Sequence, residues 1–150
     1  MQRMSSSRLR LGRHSLLAQV YVLTTTYLRR RLFENDQAAT CVAAQFAGIE
    51  QCGWVRSLAW VVMPDHVHWM FALAQGELSC VARRFKSSSA LALNRSSGRR
   101  GAVWQAGYFD HAVRADEGLE RQARYILGNP IRAGLSTQIG EYPHAWSMWT

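Results

Sequence analysis

Lysine is nearly missing from this chain. Lys86 is the single lysine, and the other 17 basic residues are arginine. Acidic residues are also few: 10 against 18 basic ones, for a net charge of +8 and a pI near 10.3. Cysteine occurs three times, as Cys41, Cys52 and Cys80, without a C-x-x-C pair. An odd, scattered set does not build a disulfide framework and fits reduced thiols in a cytoplasmic protein. No Cys/His set completes a tetrahedral site, which argues against an unrelated zinc-bound basic protein. Long apolar runs are missing too. Leu16 to Leu23 is short and broken by Gln19, so neither a secretory leader nor a membrane span is expected. There is no internal repeat and no sign of a second domain.

What is present is arginine and an ordinary core. A planar guanidinium bonds two phosphate oxygens at once. A chain basic through arginine therefore points to a nucleic-acid partner, with a merely solvated basic surface as the alternative. The candidate phosphate contacts are Arg8, Arg10, Arg13, Arg29, Arg30, Arg31, Arg83, Arg84, Lys86 and Arg114. The 150 residues, 48% hydrophobic, are read as one domain, residues 1–150. Residues 1–14 form a basic arm, mobile unless a partner orders it, and residues 136–150 a tail that packs back.

The chain is organised around Val61-Val62-Met63-Pro64-Asp65-His66-Val67-His68-Trp69-Met70-Phe71-Ala72-Leu73. Pro64-Asp65 is turn chemistry. After it, Val67, Trp69, Phe71 and Leu73 share one strand face, and His66, His68, Met70 and Ala72 the other. Two imidazoles pointing the same way from a rigid strand can grip one metal ion.

The remaining elements follow from pattern. Gln19 to Thr26 reads as the first strand. Asn35 or Asp36 caps a helix with Ala38, Cys41, Val42, Phe46 and Ile49 on one face, and Gly53 ends it. Trp54 to Met63 is the second strand and His66 to Leu73 the third. A second helix follows Gly76, with Leu78, Val81, Ala82 and Phe85 on a stripe. Ser87-Ser88-Ser89 weakens it, Ala90 to Leu93 can continue it, and Asn94 to Gly101 reads as a basic loop. Val103 to Val113 is the fourth strand. Asp116 caps a third helix with Leu119, Ala123, Ile126 and Leu127 as its stripe, ended or kinked at Asn129-Pro130.

This order is α+β: a ferredoxin-like split βαβ, an antiparallel sheet with helices on one face and an appended C-terminal helix. The opposite face, carrying His66 and His68, is expected to be open. On the third helix Tyr125 and Asn129 are four residues apart, hence on one side. That side could bring a phenol oxygen and an amide oxygen to the imidazoles, leaving coordination positions open.

These residues carry a resemblance. Met63-Pro64-Asp65-His66-Val67-His68 resembles the HUH signature of single-tyrosine transposases. Arg124 to Leu135 (RYILGNPIRAGL) resembles the tyrosine helix of their REP-associated branch. Trp104-Gln105, the run Tyr108 to Arg114, Tyr142-Pro143, and Gly12-Arg13 before Thr24-Thr25-Thr26 are similar to that branch as well. The likeness spans about residues 8 to 146 and departs at Gly128, where bulkier residues are common.

The resemblance implies nicking and strand transfer on single-stranded hairpins of repetitive extragenic palindromes, through a 5′-phosphotyrosine. Tyr125 is then the nucleophile. His66 and His68 hold a divalent metal, Mg or Mn, and Asn129 stands where relatives use a Gln as third ligand. A free phenol ionises near pH 10, so metal proximity and Arg121 or Arg124 are candidates to assist. The implied protein is a monomer or homodimer. A non-cutting DNA- or RNA-binding module of the same ancestry is the alternative. Trp104, Tyr108 and Phe109 are candidate base-stacking residues, or core.

Overall fold

The computed structural model describes residues 3–5, 19–27, 35–114 and 118–149. The elements are β1 (Arg3–Ser5), β2 (Val20–Thr26), α1 (Asp36–Gln51), β3 (Val55–Val62), β4 (His66–Leu73), α2 (Leu78–Ser97), β5 (Tyr108–Val113), α3 (Leu119–Leu127), α4 (Asn129–Arg132) and β6 (Ala145–Ser147). They build an antiparallel sheet in the order β1-β5-β2-β4-β3-β6. The four central strands with α1 and α2 are the split βαβ arrangement expected from the pattern.

Local chemistry explains the boundaries. The Asn35 side-chain oxygen accepts from the amides of Gln37 and Ala38 at 2.9 and 3.2 Å, capping α1. Gly53, at φ +82, releases the chain from α1 into β3. Pro64-Asp65 is a tight hairpin connection, closed where the Met63 amide donates to the His66 carbonyl at 2.8 Å. This hairpin fixes the register that pairs Val61 with His68 and Val62 with Val67.

The helix-covered face holds the aromatic core. Phe46 stacks on Phe85 with centroids 5.1 Å apart and planes 5° from parallel, and it also meets Trp60 and Trp69. Trp69 is fully buried, and its indole N–H donates to Ser57 at 2.9 Å, so the ring is enclosed without a stranded donor. Trp104 and Tyr108 lie in this core. Of the three candidate stacking residues, only Phe109 is on the other face and exposed.

Several expectations are corrected. The second sheet face is not open: α3 and the segment Tyr142 to Trp149 cover much of it, with Ala123 and Ile126 packed on Val20, Val22, Leu58, Val61 and Met70. That face is itself largely apolar, so leaving it wet would cost more than laying a helix on it. Leu119 is 38% exposed and outside the buried stripe. The helix α2 continues through the serine run and Ala90 to Leu93 and on to Ser97, three residues into the stretch read as a loop; the Ser89 hydroxyl donates to the Phe85 carbonyl at 2.6 Å and Ser97 to Leu93 at 2.8 Å. The basic loop accordingly starts at Gly98. The fourth strand starts at Tyr108, and Trp104 makes only an isolated bridge with Tyr27. Within the arm, Arg3–Ser5 pairs with β5 as an edge strand. Gly118 stands at the N-terminal cap of α3, and Asp116 lies outside the described residues. Asn129-Pro130 bends the chain into the short α4, with proline in its first turn, where a missing N–H costs nothing.

Candidate functional site

The register of β2, β4, β5 and β3 sets His66 and His68 among Thr24, Thr26, Phe109 and Val61 on the second face. The His68 ring is 7% exposed, and that of His66 is partly open. The planes stand at 89°, with centroids 4.8 Å apart, and Nε2 of one ring lies 3.1 Å from Nε2 of the other.

Each Nδ1 has an oxygen partner. His66 Nδ1 meets the Asp65 carboxylate at 2.7 Å, and His68 Nδ1 meets the Thr24 hydroxyl at 2.8 Å. A carboxylate only accepts, so His66 Nδ1 carries a proton, and in the neutral ring His66 Nε2 is the acceptor. His68 Nε2–H then donates to it, and Thr24 donates to His68 Nδ1. A threonine hydroxyl can reverse that bond, which frees the His68 Nε2 lone pair without moving a heavy atom. Burial, and next the neighbouring His66 and the Arg132 charge, push the His68 pKa down to about 3. The ring is therefore neutral at physiological pH, the state a metal ligand requires.

The donor set fits a divalent ion as far as it goes. Two nitrogens, each about 2.1 Å from one ion at adjacent positions, lie roughly 3 Å apart. The outward hydrogen bonds to Asp65 and Thr24 are the kind that orient ligating imidazoles. Among the described residues no third His, Cys, Asp or Glu joins them. Asn129 makes no hydrogen bond to either ring; its amide nitrogen donates to the Ile126 carbonyl at 2.9 Å.

Tyr125 lies on α3, 62% exposed. The Arg132 guanidinium lies over its ring, 4.2 Å from the centroid, and donates to the Tyr125 carbonyl at 2.5 Å. Arg124, expected to assist the phenol, instead pairs with Glu120 at 3.2 Å, one turn back.

The basic candidates do not converge on the imidazoles. Arg83 and Arg84 are exposed on α2, in the layer across the sheet. Lys86 donates to the carbonyls of Gln105 and Gly107, tying α2 to the approach of β5. Arg114 follows β5 at the end away from His68, since Phe109 pairs with Thr24 and Val113 with Val20. Arg8, Arg10, Arg13, Arg29, Arg30 and Arg31 lie outside the described residues. Sequence reasoning missed Asp65 and Thr24 as partners of the rings, and it missed Arg132. Arg132 follows Tyr125 by seven residues, two helical turns. A helix read as ending at Asn129-Pro130 hides that spacing.

The family model described as "Transposase IS200 like" matches residues 15–129. The chain belongs to the IS200-like transposase family. It is 29% identical over 87 residues to the REP-associated tyrosine transposase of Escherichia coli (strain K12). That match covers 57% of this chain and 50% of the relative, so the chain is matched to about half of that protein's length. A solved structure of a REP-associated tyrosine transposase bound to a REP hairpin superposes with a TM-score of 0.70 at 22% identity. It covers 89% of this chain and 79% of the other, a likeness of fold. The α+β sheet architecture is thus that of this family, and residues 15–129 span both imidazoles, Tyr125 and Asn129. Among the described residues no helix is long and apolar enough to cross a membrane.

Proposed function

We propose that this chain nicks and rejoins single-stranded DNA at REP-type hairpins, with Tyr125 as nucleophile and His66 and His68 holding a divalent metal, magnesium or manganese. The observation that carries this reading is the imidazole pair. It consists of two Nε2 atoms 3.1 Å apart, one ring tied to Asp65 and the other to Thr24, with His68 held neutral by burial. Two surface histidines of no function need neither the convergence nor the outward partners. Asn129, with its amide nitrogen already engaged, offers Oδ1 as a third donor.

The chemistry asks little else of the chain. The Tyr125 oxygen attacks phosphorus in line, the bond from phosphorus to the 3′ oxygen breaks, and the departing strand takes a proton as a 3′-hydroxyl. The 5′-phosphate stays on the tyrosine. His66 and His68 would hold the divalent ion, which would supply Lewis-acid polarisation of the scissile phosphate. Rejoining is the reverse displacement: a 3′-hydroxyl attacks the phosphotyrosine and the phenol leaves. Bond energy is kept in the covalent intermediate, so no nucleotide triphosphate is needed. The exposure of Tyr125 suits a residue that must reach an incoming strand.

The test is Tyr125→Phe with labelled hairpin oligonucleotides and Mg2+ or Mn2+. The expected result is hairpin binding that persists while cleavage and the covalent protein–DNA adduct vanish together. A variant that cuts at the wild-type rate sinks the assignment. A wild-type protein that binds hairpins tightly and never cuts is the non-cutting module instead.

A further inference from the structure

Tyr125 is held oddly for a nucleophile. Its ring is 62% exposed, and its phenol oxygen makes no hydrogen bond to any described residue. A side chain with two free torsions spends little time in one attack geometry, and misplacement by an ångström is costly to rate. Arg132 answers that problem. Its guanidinium lies 4.2 Å from the ring centroid, and an N–H of the same group donates to the Tyr125 carbonyl at 2.5 Å. One planar cation is thus bonded to the backbone of the residue whose ring it covers. A lysine, as a point charge, could not do both.

Gly128 makes room for this. Its φ of −79 is ordinary helix, so the backbone does not demand glycine. Glycine is a poor helix residue, and an alanine would by propensity hold the α3–α4 junction more firmly. A Cβ at this position would lie 2.7 Å from Arg132 Nη1, well inside contact distance. The missing side chain is the space the guanidinium occupies.

We propose that Arg132 is a positioning residue for Tyr125, and that Gly128 is kept small to admit it. The proposal rests on Tyr125 being the nucleophile. Stacking restricts the ring while leaving its hydroxyl edge free to approach phosphorus.

The experiment measures single-turnover adduct formation at saturating hairpin, with hairpin affinity measured separately, for Arg132→Ala, Arg132→Lys, Gly128→Ala and the double variant Gly128→Ala/Arg132→Ala. Arg132 is exposed, and an alanine at 128 is crowded only by the movable end of the Arg132 side chain, with the Tyr125 carbonyl at an ordinary 3.4 Å, so all four should fold. Arg132→Ala and Gly128→Ala are expected to slow adduct formation about 10- to 100-fold, with affinity within about twofold. Arg132→Lys should not restore the rate. The double variant should be no slower than Arg132→Ala alone, because Gly128 acts only through Arg132. A Gly128→Ala protein that reacts at the wild-type rate overturns the proposal. So do additive effects in the double variant, or an affinity loss that matches the rate loss. Those results leave Tyr125 as nucleophile intact. A wild-type protein that forms no adduct removes both readings.

Discussion

Asp65 Oδ1 lies 2.7 Å from Nδ1 of His66, the very next residue, on the side of the ring facing away from His68. The turn that reverses the chain therefore also orients the first imidazole. Asp65 holds a proton of His66 on Nδ1 and so orients the ring with Nε2 toward His68. Thr24, from a different strand, anchors the His68 ring through its Nδ1 at 2.8 Å.

Metal affinity should report this directly. Titration calorimetry with Mn2+ is expected to show binding to the wild type that is lost in His66→Ala and His68→Ala. Asp65→Asn should weaken it about 10- to 100-fold while leaving both rings in place. Asn129→Ala should be milder, because water replaces one neutral ligand. Equal affinity in Asp65→Asn and wild type would show that the carboxylate does not orient the ligand.

Stability of the metal-free protein should fall on acidification through His68. Its folded pKa is pushed to about 3 from an ordinary value of 6.5. Below the ordinary value the unfolded chain takes up a proton that the folded chain refuses. The contribution is whole above about pH 6.5 and declines as pH falls toward 3, by up to about 1.4 kcal/mol per unit. Urea unfolding of wild type and His68→Gln between pH 7 and 4 checks this. The difference between the two proteins should change with pH in that direction, since shared carboxylates cancel. A constant difference would mean that the His68 ring protonates freely in the fold.

Phe46 is the residue on which the aromatic core turns, in contact with Trp60, Trp69 and Phe85 and 1% exposed. Phe46→Ala is expected to cost about 3–5 kcal/mol, from lost burial plus the cavity left behind. Denaturant unfolding measures it. A loss below about 1 kcal/mol would mean that the core collapses into the space.

Hairpin affinity should fall steeply with salt, with a slope of about −0.7 for each phosphate contacted in a single strand. Arg83 and Arg84 lie across the sheet from the imidazoles. Arg83→Ala/Arg84→Ala is expected to weaken binding and flatten the salt slope, without changing the single-turnover rate at saturating DNA. An unchanged slope removes both residues from the contact set.

Elements whose pattern is local were readable in the chain. The Asn35 cap, the Pro64-Asp65 turn and the alternation from His66 to Leu73 are each decided by residues a few positions apart, and they appear where the pattern puts them. Alternation also requires both imidazoles to share a face, whatever lies opposite. Local propensity fell short at the end of α2, where the stretch read as a loop from Asn94 is helical to Ser97. The serine run before it is tied to the core, since Ser89 accepts from the Trp104 indole at 2.9 Å. What only the tertiary structure decided is what meets the imidazole face. Thr24 reaches His68 because β2 pairs with β4 in one register, and a shift by a single residue would turn it to the other side. The apolar side of α3 needed a partner, and the largely apolar second sheet face was the surface available, so the helix closes a face that the strand pattern alone leaves open. Arg132 reaches Tyr125 because the chain stays helical past Pro130 and position 128 has no side chain. Those contacts join residues from different elements, and the free energy that selects them is set by packing between the elements. Periodicity within one element records only which side of it is apolar.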